Sequence, residues 1–149
     1  VAALVMVGIV SLAASSVRNS TFARNSTLAT RYTQETSEWL REQRDTDWNA
    51  FKQKAETSAT WCLRELSWSL PSESNSCAPD DYVGTSIFVR NVYFSCFESN
   101  ISPPPEFLPV ICSDTDVNFV EVIITVEWSD AQGLHESRTV AQFTRWQTP

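Results

Sequence analysis

Only three glycines and a single histidine occur in the 149 residues. Gly8, Gly84 and Gly133 lie far apart, which excludes a glycine-rich loop that would cradle phosphates with its backbone amides. The histidine, His135, falls in an expected hairpin, and the four cysteines are better read as disulfide-bonded than free. No base or nucleophile then has a partner of the right type, so enzymatic activity is not expected, and neither is a cofactor. Basic residues are also scarce, 11 against 18 acidic ones, for a net charge of −7. Without a Lys/Arg cluster to displace counterions from phosphates, nucleic acid is not an indicated partner. The length suits one domain with a modest core and is too short for two well-buried ones.

Other absences fall in the first third of the chain. There is no charge before Arg18, no acidic residue before Glu35, no proline before Pro71, and neither glycine nor proline from Ser15 to Lys54. The opening run Val1–Ala14 is apolar except for Ser11, and it is shorter than the roughly 20 residues that cross a bilayer. Three readings are open. A signal-peptide core would need a basic leader, which is absent, although Ala13-Ala14-Ser15 mimics a cleavage site. A buried helix of a soluble domain would have to be covered on every side. A membrane helix needs only a few more residues upstream.

Polarity then rises without a helix breaker. Over Ser26–Gln43 the periodicity predicts a helix with Leu28, Tyr32, Trp39 and Leu40 on one broad face and Arg31, Glu35, Glu38, Arg41 and Glu42 largely elsewhere. A helix from Val1 to Lys54 would approach about 80 Å. The Ser, Thr and Asn residues of Ser15–Thr27 compete for backbone hydrogen bonds, so local melting there is the alternative to a uniform rod. The run Arg41–Asp45 reads as a solvated face, with a subunit contact as the alternative. Asp47 either caps a short continuation through Trp48, Ala50 and Phe51 or is passed through by the rod.

Cys62, Cys77, Cys96 and Cys112 lack the paired close spacing of a zinc site, so two disulfides in an oxidising compartment are expected. Three connectivities are open. The sequential one, Cys62 with Cys77 and Cys96 with Cys112, is favoured because it closes two loops of similar length. Between Cys62 and Gly84, Ser, Pro and Asx residues favour turns, with Trp61, Leu63, Leu66 and Trp68 as anchors. Phe119–Trp128 is the clearest strand, with Val120, Val122, Ile124, Val126 and Trp128 on one face and Glu121, Thr125 and Glu127 on the other. Ile123 interrupts the polar side; an exposed isoleucine is usually innocuous, and contact with a neighbouring molecule is the alternative.

Ser86–Cys96 and His135–Trp146 supply further strands, and Ser129–Gly133 a hairpin connection. Pro103-Pro104-Pro105 and Pro109 are expected to keep the Cys96–Cys112 excursion outside the sheet. The fold class is α+β: a long N-terminal helix packed on a small antiparallel sheet of at least three strands. Residues 1–25 form the apolar N-terminal helix. Residues 26–149 form the head, which includes the amphipathic half of the helix.

Weaker signals complete the reading. Asp114-Thr115-Asp116-Val117-Asn118 starts like a calcium loop, but Phe119 stands where that motif needs glycine, so a turn is expected and no metal site. Glu121 and Glu127 read as a solubilising face rather than a catalytic carboxylate pair. Asn19, Asn25 and Asn100 lie in Asn-x-Ser/Thr sequences, which are weak evidence for glycosylation.

The order of apolar helix, amphipathic helix, cysteine-bearing loop and antiparallel sheet resembles the type IV pilins and related minor pilins or pseudopilins. The run Glu38-Trp39-Leu40-Arg41-Glu42-Gln43-Arg44-Asp45-Thr46-Asp47-Trp48-Asn49 is similar to a segment common in pilin-like proteins. Val122–Asp130, Gly133-Leu134-His135 and Thr144-Arg145-Trp146 resemble their terminal strand pair. The resemblance covers nearly the whole chain by order, and each motif alone is weak.

The resemblance implies a subunit of a cell-surface pilus used for adhesion or motility, with a precursor anchored in the cytoplasmic membrane. Partners would be further copies in a helical fibre, related pilins and the assembly machinery. The assembly helix would be Val1, Ala2, Leu4, Val5, Gly8, Ile9, Val10 and Leu12, exchanging lipid for neighbouring helices. In the family a basic leader is removed, the new terminus is methylated, and a glutamate follows shortly. No residue here inherits that glutamate; Val1 would fit just after it. A minor pseudopilin of a type II secretion system and a singly anchored surface adhesin are the alternative readings.

Overall fold

The computed structural model describes residues 2–72, 76–100, 106–112, 117 and 119–145, with residues 2–5, 99–100 and 106–108 as backbone only. The first element is one continuous helix, α1 (Ala2–Thr46) of 45 residues, about 68 Å long. The polar stretch that was open to melting is helical throughout. Ser15, Thr21, Thr27 and Thr30 turn their hydroxyls back on the carbonyls of Ser11, Val17, Ala23 and Ser26 at 2.8–3.0 Å. Side chains able to compete with the helix are thus satisfied within it.

The rod stops at Asp47, whose backbone is extended (φ −158°, ψ 105°) and whose carboxylate accepts the amides of Asn49 and Ala50 at 2.9 and 3.1 Å. Of the two readings of Asp47, the cap is the one realised. It opens α2 (Trp48–Thr57), which turns Phe51 and Ala55 into the core. Asp47→Ala is expected to cost about 1 kcal/mol, seen as a lower urea midpoint at unchanged slope.

The strands are β1 (Thr60–Cys62), β2 (Pro71–Ser72), β3 (Phe88–Asn100), β4 (Glu106–Val110), β5 (Phe119–Asp130) and β6 (Gly133–Thr144). They form one antiparallel sheet in the order β2-β1-β3-β5-β6, with β4 also on β3. The expectation for the Cys96–Cys112 excursion is corrected: residues 97–100 continue β3 and Glu106–Val110 pair with it as β4, so both ends of the excursion are in the sheet. Cys96 pairs with Val110 and Phe97 with Pro109, while the same two residues of β3 pair with β5 on their other side. β4 therefore extends the edge that β1 occupies further back. On such an outer strand a proline is tolerated, because its missing N–H need not serve a ladder. Pro103, Pro104 and Pro105 lie outside the described residues.

β5 follows its period of two: Val120, Val122, Ile124 and Val126 are fully buried and Trp128 nearly so, while Glu121, Ile123, Thr125 and Glu127 are half-buried on the outer face. The β5–β6 turn is only Ala131-Gln132, since Asp130 already pairs with Gly133. Gly133 has φ +126°, a backbone that side chains rarely adopt.

α1 crosses the inner face of this sheet on a stripe of mostly small residues that ends in Leu40. The fully covered stripe is Asn25, Ala29, Thr33, Thr36 and Leu40, with Leu28, Tyr32 and Trp39 half-buried beside it. Thr33 and Thr36 bond the carbonyls of Thr30 and Tyr32 at 2.8 and 2.7 Å, so their burial leaves no hydroxyl unpaired. Small side chains in the middle let the helix sit close to the strands, and large ones wedge along its flanks.

The four anchors behave as expected. Trp61 and Leu63 are buried, Leu66 and Trp68 half-buried, and Trp68 sits between Trp39 (4.6 Å), Trp61 (5.3 Å) and Phe94 (5.9 Å) while its N–H donates to Gln43 at 3.1 Å. The disulfides are the sequential pair, Cys62–Cys77 and Cys96–Cys112. Closures of this size typically stabilise by roughly 2–4 kcal/mol.

Candidate functional site

The expected assembly residues lie on the start of α1, ahead of its sheet contacts. Val1 lies outside the described residues, as do the side chains of Ala2, Leu4 and Val5. Gly8, Ile9, Val10 and Leu12 are all exposed on an unbroken helix. Together with Met6, Val7 and Val17, the large ones among them leave 61–74% of their surface uncovered. No helix among the described residues is long and apolar enough to cross a membrane. A contiguous apolar surface of this kind on a folded chain ordinarily marks a contact site.

Beside the β5–β6 hairpin, Phe22 of α1 lies 5.1 Å from the ring of His135 and 6.2 Å from Trp128, and His135 stacks on Trp128 at 5.3 Å. The imidazole Nε2 is 2.9 Å from Asp130 Oδ1. The same oxygen accepts the Gln132 amide across the hairpin at 2.7 Å. His135 thus joins the hairpin to the emerging helix. The Gln132 amide, and after it His135, hold the Asp130 carboxyl below its ordinary value of 3.8. A depressed carboxyl contributes stability above that ordinary value and loses it as pH falls through the lower folded one. Amide protection at Gln132 is expected to fall with acid below pH 3.8, and Asp130→Asn to remove that dependence, as read by hydrogen exchange.

One residue that sequence patterning passed over organises the middle of the head. Arg90 is on the helix-facing side of β3 and 2% exposed, between Phe88 and Val92. Its Nε donates to the Leu63 carbonyl at 3.1 Å, its Nη1 to Glu35 at 3.2 Å, and its guanidinium lies 5.9 Å from the Tyr32 ring centroid. Burial pushes its pKa down from the ordinary arginine value, and Glu35 opposes that shift. Arg90 separates two apolar clusters, one around Phe51, Phe94 and Phe143 and one around Ala29, Phe88, Val126 and Trp128. The only available signal was a charge at an inward position of an alternating strand.

The remaining candidates are placed as follows. Asp114, Thr115, Asp116 and Asn118 lie outside the described residues, as do Trp146 and the side chain of Asn100. Asn25 is buried against the sheet, a position that leaves no room for a glycan, and Asn19 is exposed. Arg41, Glu42 and Asp45 are exposed, whereas Gln43 and Arg44 are half-buried. Asp81 lies near Cys62 and Cys77, but both sulfurs are spent in the disulfide. Its carboxylate accepts from Arg64 Nε and the Ala78 amide, each at 2.9 Å. That is the bonding of a loop staple. Compared with known proteins, the chain matches no family model, no curated protein and no solved structure.

Proposed function

We propose that the chain is a structural subunit of a surface fibre of the type IV pilus kind, polymerising through its N-terminal helix for adhesion or motility. The observation that carries this reading is the division of α1. Its start presents Met6, Val7, Ile9, Val10 and Leu12 to solvent, while the same unbroken helix is seated on the sheet from Asn25 onward. A soluble monomer gains nothing from such a surface, whereas a polymer buries it against copies of itself, and a bilayer shelters it before assembly. Two disulfides in a head with no free cysteine suit an oxidising exterior.

The test is assembly. Detergent removal from the purified chain is expected to give sedimentable filaments visible by electron microscopy. Ile9→Asp together with Val10→Asp should abolish them while leaving the unfolding midpoint of the head unchanged. Protein that stays monomeric in every condition, or filaments indifferent to these carboxylates, would overturn the proposal.

A further inference from the structure

We propose that a second copy of this chain docks parallel to α1 on the face turned away from the sheet, shifted by fourteen residues, so that Arg24 and Arg31 of one copy meet Glu38 and Asp45 of the other. The inference deepens the fibre reading and rests on it. Every seventh residue of the helix from Val10 onward forms one series: Val10, Val17, Arg24, Arg31, Glu38 and Asp45. Seven residues are nearly two turns, so the series drifts by only about 20° per step and runs as a stripe. All six are exposed; Arg24, Arg31, Glu38 and Asp45 lie on the side of the helix away from the buried line through Asn25, Ala29, Thr33 and Leu40, and the drift carries Val17 and Val10 round toward its flank. Along the stripe the chemistry is two apolar residues, two cations, then two anions.

Arg24 and Arg31 have no ion pair or hydrogen-bond partner among the described residues. Glu38 is touched by Arg41 at 2.7 Å and Asp45 by Arg44 at 2.6 Å, yet the two acidic side chains stay 70% and 55% exposed. Both acidic groups are reachable from outside the molecule. The register follows from elimination. Parallel helices in register set arginine on arginine and acid on acid. A shift of seven makes one attraction, Arg31 with Glu38, and two repulsions. A shift of twenty-one makes one attraction, Arg24 with Asp45. A shift of fourteen, about 21 Å along the axis, makes two attractions and no repulsion within the series. It also lays Val10 and Val17 beside the aliphatic stems of the neighbour's Arg24 and Arg31.

An antiparallel pair satisfies the same charges, Arg24 with Asp45 and Arg31 with Glu38. It would carry Val17 and Val10 past the end of α1 at Thr46, where no matching helix face continues. Covering the apolar start therefore selects the parallel arrangement.

The experiment uses filaments of the full chain, which has no free cysteine of its own. Arg24→Cys with Glu38→Cys, treated with a short bismaleimide, is expected to give a ladder of covalent oligomers. Arg31→Cys with Glu38→Cys should give none. Separately, Arg24→Glu with Arg31→Glu should raise the critical concentration roughly tenfold. Adding Glu38→Arg and Asp45→Arg to that chain should restore it. Closed dimers from the Arg31/Glu38 cysteine pair, or a critical concentration unmoved by charge reversal in a chain with the wild-type unfolding midpoint, would overturn the register while filaments persist. Absence of filaments from the wild-type chain would overturn the fibre reading and this inference together.

Discussion

Phe51→Ala is expected to lower the unfolding free energy by about 3–5 kcal/mol, among the largest losses any single truncation in this head can produce. Phe51 is 2% exposed on α2, with its ring 5.7 Å from Phe94 on β3 and 5.3 Å from Phe143 on β6, both edge-on. Edge-to-face pairs add to the burial of the ring itself. One side chain therefore ties the short helix, a central strand and the C-terminal strand together. Phe143 is the only residue of β6 among the described buried core, so the loss should fall unevenly. Hydrogen exchange is expected to speed up more in β6 than in β5, whose inward face is held by four other fully buried residues. Phe51→Leu, which keeps most of the volume, should cost clearly less. Equal losses for the two substitutions in urea titrations would mean that ring geometry, not filled volume, governs the site.

Phe51 also shows which parts of the fold were legible. Its inward direction depends on the rod ending at Asp47, and an aspartate ahead of Trp48 can either cap a new helix or be passed through. Local chemistry allowed both; the choice is made by the packing Phe51 gains once the chain turns. β5 was legible because its alternation is nearly unbroken from Val120 to Trp128. The hairpin was legible because Gly133 can take a positive φ. β4 was not, because prolines on either side of Phe107 read as exclusion from a sheet, and only an outer position makes Pro109 compatible with pairing.

The helix face was legible in part: Leu40 is fully buried and Leu28, Tyr32 and Trp39 pack half-buried against the core, while Arg31, Glu35, Glu38, Arg41 and Glu42 are exposed. Patterning passed over Ala29, Thr33 and Thr36 on the same face, because their small size carries no hydropathy signal. The apolar start was legible as a surface in need of a partner.

Arg90 is the residue that pattern reasoning had least means of finding, and its substitutions separate volume from charge. Arg90→Ala is expected to cost about 3–5 kcal/mol: it opens a cavity between the two apolar clusters and leaves the Leu63 carbonyl without the donor now 3.1 Å away. Arg90→Met fills most of that space and removes the cost of burying a guanidinium, so its loss should be only about 1–2 kcal/mol, chiefly the unpaired carbonyl. Glu35→Gln keeps the buried cation and weakens its counterion. For a fully buried pair that would be severe, but the Glu35 side chain is 51% exposed and water can replace part of what it supplies. A loss of about 1–2 kcal/mol is expected. Chemical denaturation of the three variants checks the order. If Arg90→Met proved as damaging as Arg90→Ala, the guanidinium bonds to Leu63 and Glu35, rather than the space it fills, would be what holds α1 to the sheet at its midpoint.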